Sequence, residues 1–394
     1  MNGFTLGRLP RVDFGSGRLR TLPAALRACG EHALVVTGAR SFTQSRHWPP
    51  LENGLRAQGL AWTLVRVHGE PTAPFVDETV AALRSERVDV VVGIGGGAAL
   101  DAAKAIAGLL RPGHSVMDHL EGVGPELPYQ GPAVPFVAVP TTAGTGSEAT
   151  RNAVLGVPKA GGVKKSFRDE RLVADLALVD PDLLEGCPHE VAASCGMDAF
   201  TQLLESFVST KATPFTDALA WSGLEALELS FLRFVEQQSD AGVRLGMAYA
   251  ALVSGITLSH AGLGIAHGLA SPLGGLFPIP HGTACGAVVA AATRVNVAAL
   301  REREPESPAL ARYARVGRLL AGNPSLDEGE AAIALVDTLA GWTRRVRLPG
   351  LGRFGVSPGA YPDLVAGARA ANSTRTNPVV LTDGEIEAIL AASE

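Results

Sequence analysis

Asp198 and Gln202 stand four apart in Gly196-Met197-Asp198-Ala199-Phe200-Thr201-Gln202. On a helix that spacing puts both side chains on one face. Farther along come His267, in Gly264-Ile265-Ala266-His267-Gly268, and His281, in Pro278-Ile279-Pro280-His281-Gly282. A carboxylate, an amide oxygen and two imidazoles are donors that could enclose a divalent ion. Each is equally at home as a hydrogen-bonded core residue, and separation along the chain does not decide between the two.

Two turns have the make-up of anion sites. Gly95-Gly96-Gly97-Ala98-Ala99-Leu100-Asp101-Ala102-Ala103-Lys104 follows an apolar run over residues 88–94. Three consecutive glycines between a strand and a helix let backbone N–H groups approach an anion without interference from Cβ atoms. The following helix directs the positive end of its dipole at the same point. The spacing is neither GxGxxG nor a Walker A motif, so a tight strand–helix turn is the plain alternative. The second turn, Pro140-Thr141-Thr142-Ala143-Gly144-Thr145-Gly146-Ser147-Glu148, follows the apolar run 136–139. Hydroxyls and free amides at the carboxyl end of a parallel strand suit a pyrophosphate or a ribose. Alternatively, Thr145 or Ser147 is the N-cap of a helix. Two such turns after strands of one sheet favour a shared dinucleotide site.

The elements that must position these residues follow from periodicity. Residues 34–37, 64–67, 88–92 and 136–139 read as buried strands, alternating with helix-period stretches such as 76–83 and 100–110. Residues 172–179 could add a strand before Asp180-Pro181 breaks the pattern. From Pro188 onward, 191–208, 214–229, 243–257, 286–297, 308–320 and 330–346 are alanine-rich and helix-periodic, with no convincing strand. The expected fold is therefore α/β, a Rossmann-like parallel sheet in a dinucleotide-binding domain over residues 1–184. An all-α domain over 185–394 follows, packed closely enough to leave a ligand cleft.

Composition agrees with this. A chain of 394 residues suits two domains, and 46% apolar against 19% charged residues suffices for buried cores. The 46 glycines exceed the ~7% average without any collagen-like period, which points to tight turns and close backbone approach. A net charge of −5 with scattered basic residues argues against nucleic acid as a partner. The four cysteines have no CxxC spacing, and the chain opens without a secretory pattern, so a reduced cytoplasm is the expected location. The most apolar stretch, 90–110, contains Asp101, Lys104 and several glycines, so no membrane span is expected there.

Taken in order, these segments resemble the iron-containing, group III alcohol dehydrogenase family. The resemblance rests on Gly95–Lys104, Pro140–Glu148 and Gly196-Met197-Asp198-Ala199. It extends to His267-Gly268-Leu269-Ala270-Ser271-Pro272-Leu273-Gly274, Pro280-His281-Gly282 and Asn377-Pro378. It implies the architecture shared with dehydroquinate synthase, with metal and substrate bound by the helical domain. It also implies hydride transfer between NAD(P)H and a small alcohol or aldehyde, usually in a homodimer. One divalent ion, Fe2+ or Zn2+, would sit on Asp198, Gln202, His267 and His281. The cofactor would be held by Gly95, Gly96, Gly97, Ala98, Asp101, Thr141, Thr142, Thr145 and Ser147, and by Lys164 in Val163-Lys164-Lys165-Ser166.

Three departures matter. The second ligand is usually His, where this chain has Gln202, a poorer donor. A further His one turn after the third ligand is replaced by Ser271, and the serine of the glycine turn by Ala98. His260, seven residues before His267, would share its face on a continuous helix and could supply the missing imidazole. The expected catalytic set is accordingly His267, His281, Ser271 and His260. No acid follows the first cofactor-domain strand; Gly38 leaves room for a 2′-phosphate and Arg40 and Ser41 could bond it, so NADP(H) is expected to be preferred.

The resemblance admits other outcomes. In a maleylacetate-reductase-like enzyme without metal, Gln202 and Ser271 would polarise a keto acid and Arg151 would meet its carboxylate. A dehydroquinate-synthase-type lyase fits the second turn less well, and a cofactor-binding protein without catalysis is the fourth reading. Nothing in the sequence specifies the substrate.

Overall fold

The computed structural model describes residues 3–157 and 163–394. The chain divides into two compact units, Leu6–Gly186 and Cys187–Glu394, the latter joined by the N-terminal segment up to Thr5. The first contains β1 (Arg11–Phe14), α1 (Leu22–Arg27), β2 (His32–Gly38), α2 (Trp48–Ala57), β3 (Ala61–Val67), α3 (Ala73–Ala82) and β4 (Val90–Gly95). It continues with α4 (Gly97–Leu109), β5 (Phe136–Pro140), β6 (Asn152–Val157), β7 (Val163–Arg168) and β8 (Leu176–Val179).

Six strands form one parallel sheet in the order β1-β8-β5-β4-β2-β3, while β6 and β7 pair antiparallel. The central strands are apolar on both faces because helices cover both. Leu34, Val36 and Val91 join one core with Leu100, Ala103 and Ile106 of α4, and Ala33, Val35, Val90, Val92 and Ile94 join the other with Leu26, Leu51 and Leu55. Two glycines of β4 set the height of α4. A Cβ at Gly93 would come within 2.8 Å of Ala103 Cβ, and one at Gly95 within 2.6 Å of Ala99 Cβ. The stretch 90–110 is thus a buried strand followed by a buried helix.

The second unit contains α5 (His189–Val208), α6 (Pro214–Glu236), α7 (Ala241–Ala261), α8 (Ile265–Leu276), α9 (His281–Arg303) and α10 (Pro308–Ala321). It closes with α11 (Glu328–Arg345), α12 (Tyr361–Ala370) and α13 (Asp383–Ala391), and among the described residues no strand follows Val179. From Gly196 to Val208 every residue of α5 is buried, because α6, α7 and α9 pack around it. A Cβ at Gly196 would lie 2.2 Å from the Phe231 ring, so α5 and α6 meet at glycine distance. Helices α7 and α9 are long and apolar enough to cross a membrane by composition, but they are mostly buried in this unit, as core helices are.

Three sequence expectations need correction here. The strand expected over 172–179 is confined to Leu176–Val179, since Glu170–Leu172 is a 3-10 turn capped by Asp169. Thr145 and Ser147 are not N-caps: a short 3-10 turn, Ser147–Ala149, starts at Gly146 with φ +60° and no side-chain cap. His260 and His267 are not on one helix, because α7 stops at Gly262, whose φ of +74° turns the chain before α8 begins.

Candidate metal centre and cofactor turns

In the helical unit, three elements bring a donor cluster together. Asp198 lies in the middle of α5, His267 in the first turn of α8 and His281 at the first position of α9. Asp198 Oδ1 is 3.3 Å from His267 Nε2 and 3.7 Å from His281 Nε2. Asp198 is 2% exposed and His267 5%, and both Asp198 Oδ1 and His267 Nε2 are buried without a hydrogen-bond partner. Unsatisfied buried polar atoms of this kind are costly unless something binds them. An imidazole nitrogen and a carboxylate oxygen facing each other suit a cation between them, so the donor set fits a divalent metal.

The position of His267 is fixed from behind. Glu205, two turns beyond Asp198 on α5, accepts the His267 Nδ1–H bond at 2.7 Å and the Ala266 N–H bond at 2.7 Å. It therefore caps α8, whose own N-cap is Gly264, and holds the imidazole by Nδ1 with Nε2 turned toward Asp198. Asn377 adds a bond from Ile265 N–H and is itself locked to Asn296. Burial works against charge on His267, but Cys285, Asp198 and Glu205 outweigh it and raise its pKa well above the usual value. Burial pushes Asp198 up, yet His281 and His267 hold it below the ordinary carboxylate range.

Gln202 is on the same face of α5, 3% exposed, but its Oε1 accepts a bond from Ser254 Oγ of α7 at 2.6 Å. Cys285 also lies in the cluster, one turn beyond His281 on α9. Sequence reading passed over both Glu205 and Cys285. The seven-residue step from Asp198 to Glu205 and the four-residue step from His281 to Cys285 were the available signals. Ser271 is half-buried one turn beyond His267. His260, in the last turn of α7, donates from Nδ1 to Ile256 O.

In the α/β unit the two glycine-rich turns lie against each other. Thr141 N–H bonds Gly95 O at 2.9 Å. A Cβ at Gly97 would lie 2.7 Å from Thr145 Cγ2, and one at Gly96 3.2 Å from Thr142 Oγ1. Helix α4 starts at Gly97 with no side chain capping its N-terminus, as an anion cradle would require.

Lys104 ties the turns together from below. It is 1% exposed and its Nζ donates to Ser147 O, Ser147 Oγ, Thr150 Oγ1 and Asn152 O at 2.6–3.0 Å. Burial lowers its pKa to about 8, against the opposing pull of Asp101 and Glu148. Asp101 accepts from Ser147 Oγ at 2.5 Å and from Val154 N–H at 3.1 Å. These two expected cofactor ligands thus hold each other. Buried Glu148 has its pKa pushed up to about 7 by desolvation.

Other expected residues are more open. Gly38 ends β2 with only Ser41 Oγ near a hypothetical Cβ, at 3.9 Å, and Arg40 and Ser41 are exposed. Ala98 is half-buried at the start of α4. Lys164, on β7, pairs with Glu70 at 3.0 Å. Arg151 pairs with Glu170 at 2.5 Å, which engages the side chain that the keto-acid alternative requires.

Residues 10–181 match the model of the iron-containing alcohol dehydrogenases, and 192–394 match the C-terminal model of the Fe-containing alcohol dehydrogenase family. The chain is 32% identical over 379 residues to the probable alcohol dehydrogenase EutG of Salmonella typhimurium, covering 94% of this chain and 91% of that protein. It is 32% identical over 385 residues to the 1-propanol dehydrogenase PduQ of the same organism, covering 96% of each. The crystal structure of a 1,3-propanediol oxidoreductase superposes over 100% of both chains with a TM-score of 0.89 at 27% identity. The chain belongs to the iron-containing alcohol dehydrogenase family.

Proposed function

We propose that the protein is an NAD(P)-dependent, metal-assisted dehydrogenase that interconverts a small primary alcohol and its aldehyde. The observation that carries this reading is the buried pair Asp198 Oδ1 and His267 Nε2, neither in a hydrogen bond, 3.3 Å apart with His281 Nε2 beside them. A divalent ion held by Asp198, His267 and His281 would supply Lewis acidity, polarising the substrate oxygen and lowering the alcohol's pKa. A nicotinamide held by the α/β unit would supply the hydride acceptor or donor.

The chain's own residues do the rest. Glu205 accepts from Nδ1 of His267 and fixes the ring, so that Nε2 faces Asp198 and gives up its proton when an ion binds. Gly96, Gly97 and the amides opening α4 receive the cofactor phosphates, with Thr141, Thr142 and Thr145 as hydroxyl donors beside them. Asp101, Ser147 and Lys104 support that cradle from within. Gly38, Arg40 and Ser41 read the adenosine ribose, and the exposed guanidinium with no acid at the strand end favours NADP(H). Ser271 offers the substrate side a hydroxyl. His260 is not assigned a role, because the helix break at Gly262 removes the face it was expected to share.

PduQ, a 1-propanol dehydrogenase, and the 1,3-propanediol oxidoreductase support substrates of that size. The test is a panel of short aldehydes and diols with NADH and NADPH, run with iron, with zinc and with neither. Turnover that requires metal and consumes cofactor stoichiometrically with aldehyde supports the reading. Cofactor use with a keto acid alone, undiminished without metal, would replace it with the reductase alternative.

A further inference from the structure

We infer that Cys285 Sγ, rather than Gln202, completes the metal shell, so that the centre in this chain is Asp198, His267, His281 and Cys285. The inference rests on the metal reading above and concerns which side chains hold the ion.

Four observations carry it. The donor atoms of these four residues all lie within 4.8 Å of one another. Donors around a tetrahedral ion, with metal–nitrogen and metal–oxygen bonds of about 2.0–2.1 Å and a metal–sulfur bond of about 2.3 Å, stand roughly 3.3–3.6 Å apart. The measured separations are 3.3 Å from Asp198 Oδ1 to His267 Nε2, 3.7 Å from Asp198 Oδ1 to His281 Nε2, and 3.8 Å from His281 Nε2 to Cys285 Sγ. Asp198 Oδ1 and His267 Nε2 are buried and neither makes a hydrogen bond, as expected of atoms arranged to share a cation. Finally, Gln202 Oε1 is already engaged by Ser254 Oγ at 2.6 Å, whereas Cys285 is fully buried on the helix face of His281, one turn away.

The chemistry balances simply. On binding, the Cys285 S–H and His267 Nε2–H bonds break, sulfur–metal and nitrogen–metal bonds form and both protons leave to solvent, with no change in oxidation state. One carboxylate and one thiolate then neutralise a divalent ion, where a carboxylate with neutral donors would leave one positive charge. A thiolate donor favours zinc or cobalt over magnesium or manganese.

The experiment loads the metal-stripped, full-length protein with Co2+ and separately with Zn2+. It records near-ultraviolet absorption of the cobalt form and X-ray absorption of the zinc form. The expected result is a sulfur-to-cobalt charge-transfer band and one sulfur scatterer at about 2.3 Å from zinc. Cys285→Ser should lose both signals and bind zinc more weakly by more than the ~10–100-fold typical of losing an outer-shell partner. Gln202→Ala should retain both. A zinc shell of nitrogen and oxygen alone in the wild type would overturn the role of Cys285 while leaving the metal reading intact. Failure of the wild type to bind either ion would overturn both. Because the decisive spectra are taken on the unmutated protein, a misfolded variant cannot obscure the result.

Discussion

Glu205→Gln separates the metal site from the fold that supports it. One carboxylate oxygen takes the Ala266 N–H at 2.7 Å and the other takes His267 Nδ1–H at 2.7 Å. An amide has one acceptor oxygen. If it stays on Ala266, the NH2 group faces Nδ1, and the imidazole satisfies both by moving its proton to Nε2. The metal-free protein then loses little hydrogen bonding, and mainly the charge at the start of α8, ~0.3–2 kcal/mol. Metal binding, however, must reverse the tautomer. Loss of such an outer partner typically weakens affinity ~10–100-fold, or about 1.4–2.7 kcal/mol. Zinc competition against a chromophoric chelator should therefore show a drop of at least tenfold, while urea unfolding in chelator shows a loss of no more than about 2 kcal/mol. Metal affinity within twofold of wild type would refute the claim that Glu205 sets the state of His267.

Further outcomes follow from the same geometry. Asp198→Ala removes the carboxylate at the centre of the cluster, and purified variant should contain no divalent ion by elemental analysis; wild-type content would displace the site. Gly97→Ala places a Cβ 2.7 Å from Thr145 Cγ2 and should weaken NADPH binding about tenfold in a fluorescence titration, an overpacking cost of ~1–3 kcal/mol forcing the turns apart. Arg40→Ala should raise KM for NADPH much more than for NADH; equal effects would remove it from cofactor choice. Glu148, raised from 4.5 to about 7 by burial, binds its proton more tightly folded than unfolded. Stability should therefore fall as pH rises from about 4.5 to 7, by about 3 kcal/mol, and Glu148→Gln should flatten that slope in denaturant titrations.

How much was legible differs between the halves. The apolar runs of β2, β4 and β5 were read because both sheet faces are covered, which leaves continuous β-branched stretches. β1 and β7 were not, since RVDF is a partly exposed edge and VKKSFR is mostly polar, so neither carries that signature. Helix α8 was missed as an element because Pro272 and its glycines mask a helical period, although His267 within it was singled out. Asp198, His267 and His281 were found from residue type. Glu205 and Cys285 needed three dimensions: a carboxylate that caps another helix, and a cysteine in an apolar segment, look like ordinary core residues in one.

The most direct test is to strip the purified protein of metal under anaerobic conditions and follow NADPH oxidation with a short aldehyde during stepwise return of Fe2+ or Zn2+. The account requires activity to vanish with the metal and to return in proportion to occupancy, saturating at one ion per chain. Full aldehyde turnover by protein that contains no metal would contradict it.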